Sequence, residues 1–163
     1  MTAVALATLA AARPLDDDLA PLEKALQHAG YDVSLVDWDD PQADWSQFDA
    51  VLLRSTWDYT ERPSEFLAWC ERVAAQTRLF NPLDVVRWNT DKHYLADLEN
   101  AGIAIVESVF LSPEHAANDF PDYAEFVVKP CISAGSKDTQ RYVREERDKA
   151  IAHIARLQAE ARS

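Results

Sequence analysis

Two lysines stand 37 positions apart in the second half of the chain, and a loop of small residues follows the second lysine. Lys92 ends the stretch Trp88-Asn89-Thr90-Asp91, and Lys129 follows an apolar run that begins at Phe126. The loop is Ser133-Ala134-Gly135-Ser136. Ammonium groups neutralise phosphate, and small side chains let backbone amides approach anionic oxygens closely. The pattern therefore predicts a phosphate site for a nucleotide, although Lys129 taken alone could simply cap a strand at the surface.

Acidic residues that could hold catalytic magnesium are missing after this loop. The chain ends 34 residues beyond Lys129, and its nearest acids are Asp138, Glu145 and Glu146. These three are better explained as loop charges and as charges at the positive end of a helix. We therefore expect half of a site, one that binds a nucleotide without turning it over.

Glycine is scarce, which excludes two common kinds of nucleotide site. The chain contains only Gly30, Gly102 and Gly135. Neither a Walker phosphate loop nor a dinucleotide-binding glycine fingerprint can be built from three such widely spaced glycines.

Composition indicates a folded, acidic protein. The 163 residues are 48% hydrophobic, and the net charge is -12. A nucleic-acid partner is not expected, because such proteins need a basic surface that neutralises phosphates. Only residues 125–163 are net positive, with 8 basic and 6 acidic side chains. This local balance could attract a small polyanion, or it could reflect a solvated charged helix.

Cysteine and histidine usage favours a reducing cytoplasm and no metal site within the chain. Cys70 and Cys131 are too few for a disulfide framework. The apolar residues 4–12 are too short to cross a membrane and lack a preceding basic residue, so we predict an inner strand there and no membrane association. The histidines show no ligand spacing and are expected at the surface: His28, His93, His115 and His153.

Alternating apolar segments predict an α/β fold with a mostly parallel sheet. Gly30 is expected to close a helix that begins near Leu19, and Pro63 to begin another. Thr90 is expected to cap a helix through Leu98. Strands are predicted at residues 3–8, 31–36, 49–53, 103–105, 125–129 and 140–143, a short apolar segment at 79–80, and a helix at 145–162. We assign residues 1–85 to one domain and 86–163 to a second, incomplete one.

The loop at residues 54–59 leaves the carboxyl end of a predicted strand, where open α/β sheets bind their ligands. Arg54 could pair with a substrate carboxylate and Asp58 with its amine, with Tyr59 beside them. In the structural alternative, Arg54 and Asp58 pair with each other, while Trp57 and Tyr59 pack the loop against the sheet.

Nearly the whole chain resembles the ATP-grasp ligases. Residues 89–105 are similar to the family's first lysine helix and the strand entry after it, and residues 126–139 to its second lysine and phosphate-covering loop. Residues 53–59 and 79–92 resemble more specifically the branch that includes the cyclo-ligase of cycloserine biosynthesis. The resemblance implies an α/β domain that precedes the ATP-grasp domain, followed by the first lobe of that domain.

The resemblance also implies a reaction. ATP would phosphorylate a carboxyl or related acyl group, and an amine nucleophile would displace the phosphate. Lys92 and Lys129 would contact the phosphates, and Ser133, Gly135 and Ser136 would close over them. The ligands for Mg²⁺ are expected downstream of Ser163, so this truncated chain is expected to be inactive by itself.

Substrate and partners follow from the same resemblance, and two alternatives stay open. The substrate is expected to be a small carboxylate or amino-acid-like molecule, and an unpaired sheet edge could favour a homodimer. One alternative is a non-catalytic α/β module that binds a ligand or partner. The other is a peptide-modifying or glutathione-type ligase of the same broad chemistry.

Overall fold

The computed structural model describes residues 1–160, which contain six strands and five α-helices. The strands are β1 (Ala3–Thr8), β2 (Asp32–Asp37), β3 (Ala50–Leu53), β4 (Arg78–Phe80), β5 (Glu125–Val128) and β6 (Gln140–Val143). The α-helices are α1 (Leu19–His28), α2 (Pro63–Ala74), α3 (Leu83–Thr90), α4 (Tyr94–Asn100) and α5 (Arg147–Ala159). None of these helices combines the length and the apolar content that a bilayer span requires.

The chain divides into two compact units, Met1–Arg87 and the part that begins at Trp88. Each unit has its own hydrophobic core among the described residues. The functional domains assigned to residues 1–85 and 86–163 stay a prediction.

A four-stranded parallel sheet forms the first unit, in the order β2-β1-β3-β4. The central strand β1 is buried from Val4 to Thr8, and its uninterrupted apolar sequence is typical of an inner parallel strand. The predicted α/β class with a mostly parallel sheet is confirmed, and residues 3–8 form an inner strand as expected.

Aromatic rings fill the core of the first unit. Trp38 contacts Phe66 and Trp69 edge-on, with ring centroids 5.5 Å and 5.8 Å apart. Trp45 packs on Trp69 in the same manner at 5.2 Å. Such pairs stabilise a fold by about 0.5–1.5 kcal/mol each beyond the burial of their area. They hold α2 and the segment after β2 against the sheet.

An antiparallel hairpin of β5 and β6 packs on α5 in the second unit. Val128, Tyr142, Ile154 and Leu157 are buried between hairpin and helix. Its two strands match those predicted at residues 125–129 and 140–143. A 3-10 turn at Arg144–Glu146 precedes α5, so the α-helix begins two residues later than expected. The predicted end of this helix at residue 162 lies outside the described residues.

Two glycines end helices in the left-handed conformation that favours glycine. Gly30 follows α1 with φ of +88°, as predicted, and Gly102 follows α4 with φ of +76°. In each unit, one helix is therefore followed by the residues Ala-Gly.

The predicted helix through Leu98 is present as α4, but its predicted cap and one predicted strand are wrong. Thr90 does not cap a helix through Leu98, because it is the last residue of α3, a helix that the sequence analysis missed. Asp91 separates α3 from α4 instead, since its Oδ1 accepts a hydrogen bond from the backbone N–H of His93 at 3.0 Å. The predicted strand at 103–105 is irregular, and no strand among the described residues pairs with it.

Candidate functional site

Lys92 lies between α3 and α4, and its ammonium group is held by the loop that follows β5. Nζ donates hydrogen bonds to the carbonyl oxygen of Cys131 at 3.1 Å, to that of Ser133 at 3.2 Å and to Oγ of Ser133 at 2.7 Å. The backbone N–H of Lys92 also donates to the carbonyl oxygen of Cys131, at 3.0 Å. An ammonium group has three donors, so these three acceptors satisfy it. A phosphate that binds Lys92 would replace one of them.

A cavity of about 820 Å³ in the second unit is lined by both lysines. Its volume lies within the usual range for small-molecule sites, which are mostly apolar with a few polar groups. The apolar part of its wall includes Leu95, Leu98, Ile105, Val128 and Ile154. The structure therefore places Lys92 and Lys129 at one concave surface.

Charges of both signs lie at this surface, since Glu107 and Glu125 line the cavity together with the two lysines. Burial lowers the pKa of Lys92, and the charge of Lys129 nearby lowers it further. An anion that binds beside the two lysines would favour the charged form of Lys92.

In the small-residue loop, Ser133 is the residue that contacts one of the two lysines. Ser133 contacts Lys92 directly, whereas Ser133, Gly135 and Ser136 are not among the residues that line the cavity. Gly135 and Ser136 are exposed, with φ of +59° and +58°. The sequence analysis assigned Ser133, Gly135 and Ser136 to one phosphate site. In the structure, only Ser133 of these three contacts Lys92.

A further group beside Lys92 was missed by the sequence analysis. Asp91, His93 and Cys131 each offer a ligand atom, and these atoms lie within 4.8 Å of one another. Nδ1 of His93 is 2.6 Å from Oδ1 of Asp91. Burial alone would raise the pKa of Asp91, but hydrogen bonds from the backbone and ring of His93 outweigh it and lower this pKa. The spacing of Asp91 and His93 is apparent in the sequence, but Cys131 lies 38 residues beyond His93.

The other three histidines are not part of this group. His28 and His115 are exposed, as predicted, whereas His153 is partly buried beside the hydroxyl of Tyr142, with Nδ1 to Oη at 3.1 Å.

In the first unit, Arg54 is bound to the buried acid Asp16, which lies 38 positions earlier in the chain. Its Nη2 donates to Oδ1 of Asp16 at 2.5 Å, and the hydroxyl of Ser55 donates to Oδ2 of the same carboxylate. The side chain of Asp16 is 3% exposed. Burial alone would raise the pKa of Asp16, but the hydrogen bonds from Arg54 and Ser55 outweigh it and lower this pKa.

Asp58 is also paired, but not with Arg54 as in the structural alternative. Its carboxylate accepts from Nε1 of Trp38 at 2.9 Å and from Nη2 of Arg62. The guanidinium of Arg62 stacks on Trp38 and donates to Asp39 at 2.8 Å. Asp58 and Asp39 raise the pKa of Arg62.

Tyr59 packs on Phe66, with ring centroids 5.3 Å apart, and burial raises the pKa of its hydroxyl. Trp57 is 43% exposed, so Tyr59 is the one of these two aromatic residues that packs the loop against its neighbours. The structure thus keeps Arg54, Asp58 and Tyr59 in one loop but gives each a separate partner.

Comparison with known families gives a match in the first unit. Residues 4–81 match the model of the family described as D-cycloserine synthetase DcsG, N-terminal domain. The sequence-based resemblance to the cycloserine branch is thereby confirmed.

Two individual comparisons extend beyond this domain. The chain is 44% identical to the cycloserine biosynthesis protein DcsG of Streptomyces lavendulae over 98% of its own length. It is also similar to a crystal structure of D-cycloserine synthetase DcsG, with 43% identity, a TM-score of 0.90 and 98% of the chain covered. In both cases the chain spans 56% of the relative's length. These matches are consistent with similarity to the N-terminal portion of the relatives.

Proposed function

We propose that this chain is the N-terminal part of an ATP-dependent ligase of the ATP-grasp type. The ligase activates a carboxyl or related acyl group by phosphorylation, and an amine nucleophile then attacks it. The observation that carries the proposal is the pair Lys92 and Lys129 at one cavity, with Lys92 bound to the loop at Ser133. The similarity to a cycloserine synthetase supports the reaction class.

The residues fit the demands of phosphoryl transfer, which are positioning and neutralisation of charge. Lys92 and Lys129 bind the phosphates of ATP, and the apolar wall of the cavity accepts the base. Ser133, Gly135 and Ser136 close over the β- and γ-phosphates when the nucleotide enters.

When bound with ATP, Mg²⁺ would neutralise charge on the phosphates. Mg²⁺ prefers oxygen ligands, but Asp91, His93 and Cys131 form the one group of three ligands among residues 1–160, and it includes sulfur and nitrogen. We therefore propose that the protein ligands for Mg²⁺ lie outside this sequence and that the chain alone binds ATP without turnover.

The substrate is proposed to be a small amino-acid-like carboxylate, with Arg54, Asp58 and Tyr59 as its contacts in the first unit. Because Asp16 already holds Arg54, a substrate carboxylate would have to compete with it. Arg54 and Asp58 already have partners within the first unit. This also favours the alternative that the loop at residues 54–59 has a structural role.

Protection of Lys129 by ATP tests the nucleotide site. We expect an amine-acylating reagent to modify Lys129, an exposed residue, and ATP at about ten times its dissociation constant to slow this modification about tenfold. Mass spectrometry of peptides measures the rate at each lysine.

The exposed Lys24 of α1 is the control, since ATP should leave its rate unchanged. Equal rates at Lys129 with and without ATP would refute the proposal, and so would equal slowing at both lysines.

A further inference from the structure

Three different kinds of ligand atom meet beside Lys92. Asp91 offers a carboxylate oxygen, His93 a ring nitrogen and Cys131 a sulfur, all within 4.8 Å of one another. Zn²⁺ takes oxygen, nitrogen and sulfur ligands together, whereas Mg²⁺ and Ca²⁺ take mainly oxygen. The donor set therefore selects a zinc-like cation.

Backbone contacts hold this group together. The carbonyl oxygen of Cys131 accepts from the backbone N–H of Lys92 at 3.0 Å, and Lys92 lies between Asp91 and His93 in the chain. The ring of His93 stacks on Phe110, with centroids 4.3 Å apart. Its Nδ1 lies 2.6 Å from Oδ1 of Asp91, and an ion held by both side chains would replace this hydrogen bond. The two chain segments are thus fixed before any ion binds.

The charges balance as well. A thiolate and a carboxylate together carry two negative charges, which equal the charge of Zn²⁺. The proton of the Cys131 thiol leaves to solvent when the metal binds. Ligands around tetrahedral Zn²⁺ lie roughly 3.3–3.8 Å apart, so the side chains need to close by about 1 Å.

We propose that Asp91, His93 and Cys131 form a binding site for Zn²⁺ or a similar divalent transition metal. Three protein ligands leave the fourth position open for water. A bound ion links the start of α4 to the loop that carries Ser133, and so it fixes the loop next to Lys92. This site does not depend on the proposed nucleotide binding.

Cobalt is the probe, because Co²⁺ replaces Zn²⁺ and its bond to a thiolate absorbs in the near ultraviolet. Titration of the reduced, metal-free chain with Co²⁺ is expected to saturate at one ion per chain with this band, and Zn²⁺ should abolish it. Cys131→Ser should lose the band. Cys70→Ser should keep it, since Cys70 is fully buried in the first unit.

Two further variants separate a built site from adventitious binding to a thiol. Asp91→Asn and His93→Gln should each weaken Co²⁺ binding by roughly tenfold or more. The side chain of His93 is 55% exposed, so its replacement leaves the fold intact. No thiolate band with excess Co²⁺, a band that survives Cys131→Ser, or unchanged affinity in both Asp91→Asn and His93→Gln would overturn the proposal.

Discussion

Replacement of Asp16 by asparagine is expected to reduce the free energy of unfolding of the first unit by about 3 kcal/mol. Asp16 is buried and accepts hydrogen bonds from the side chains of Arg54 and Ser55 and, at 3.3 Å, from the backbone N–H of Asp18. Asparagine keeps the shape but removes the charge, and its amide cannot accept at both positions. Arg54 would then be left with Asp18, whose side chain is 88% exposed.

Urea unfolding followed by tryptophan fluorescence measures this effect. Four of the five tryptophans lie in the first unit, so the signal reports mainly its unfolding. Asp17→Asn is the matched control, because Asp17 is exposed beside it. A loss of stability in Asp16→Asn no larger than that in Asp17→Asn would show that the buried pair does not stabilise this unit.

The same interaction has a pH dependence with a defined sign. The pKa of Asp16 is lower in the folded chain than its ordinary value, because its hydrogen bonds outweigh burial. Its contribution to stability is therefore present above the ordinary carboxylate pKa of about 4, and it is lost as pH falls through the lowered value. The difference in stability between the native chain and Asp16→Asn should shrink below about pH 4.

Replacement of Lys92 by alanine is expected to raise the dissociation constant of ATP by roughly 10- to 100-fold. One hydrogen bond to a charged group contributes about 1.5–3 kcal/mol, which corresponds to this range. The loss includes a second cause, since Nζ of Lys92 also holds the loop through Cys131 and Ser133. Equilibrium dialysis with labelled ATP measures the affinity.

Two controls separate these causes. Ser133→Ala removes one acceptor of Lys92 but keeps the ammonium group, so it should weaken binding much less than Lys92→Ala. Lys149→Ala removes a lysine of α5 whose side chain is 73% exposed, and it should have no effect. If Lys92→Ala bound ATP as well as Lys149→Ala does, Lys92 would have no role in nucleotide binding.

Local patterns explain which parts of the fold could be predicted. The apolar run of β1, the glycine after α1 and the proline that begins α2 act within a few residues, and each was read from the sequence. The helix α3 was missed because its apolar residues before Thr90 cover only a single helical turn. So short a pattern is difficult to distinguish from a loop in the sequence. Residues 103–105 have strand-like composition, but a strand also needs a partner, and the described residues supply none.

The candidate sites depend more on distant pairs. Lys92 and Lys129 were predicted as phosphate contacts because of their residue type and because a loop of small residues follows Lys129. The pair Asp16 and Arg54 is separated by 38 positions, so no local sequence pattern indicates it. Cys131 joins Asp91 and His93 only because the loop after β5 returns to the start of α4.

Isothermal titration of the chain with ATP and, separately, with adenosine tests the central claim most directly. If Lys92 and Lys129 bind phosphates, one ATP should bind per chain, and adenosine should bind at least about tenfold more weakly, since it lacks the phosphates that the lysines contact. Equal affinity for ATP and adenosine, or no binding of ATP at millimolar concentration, would contradict the assignment of this cavity to a nucleotide.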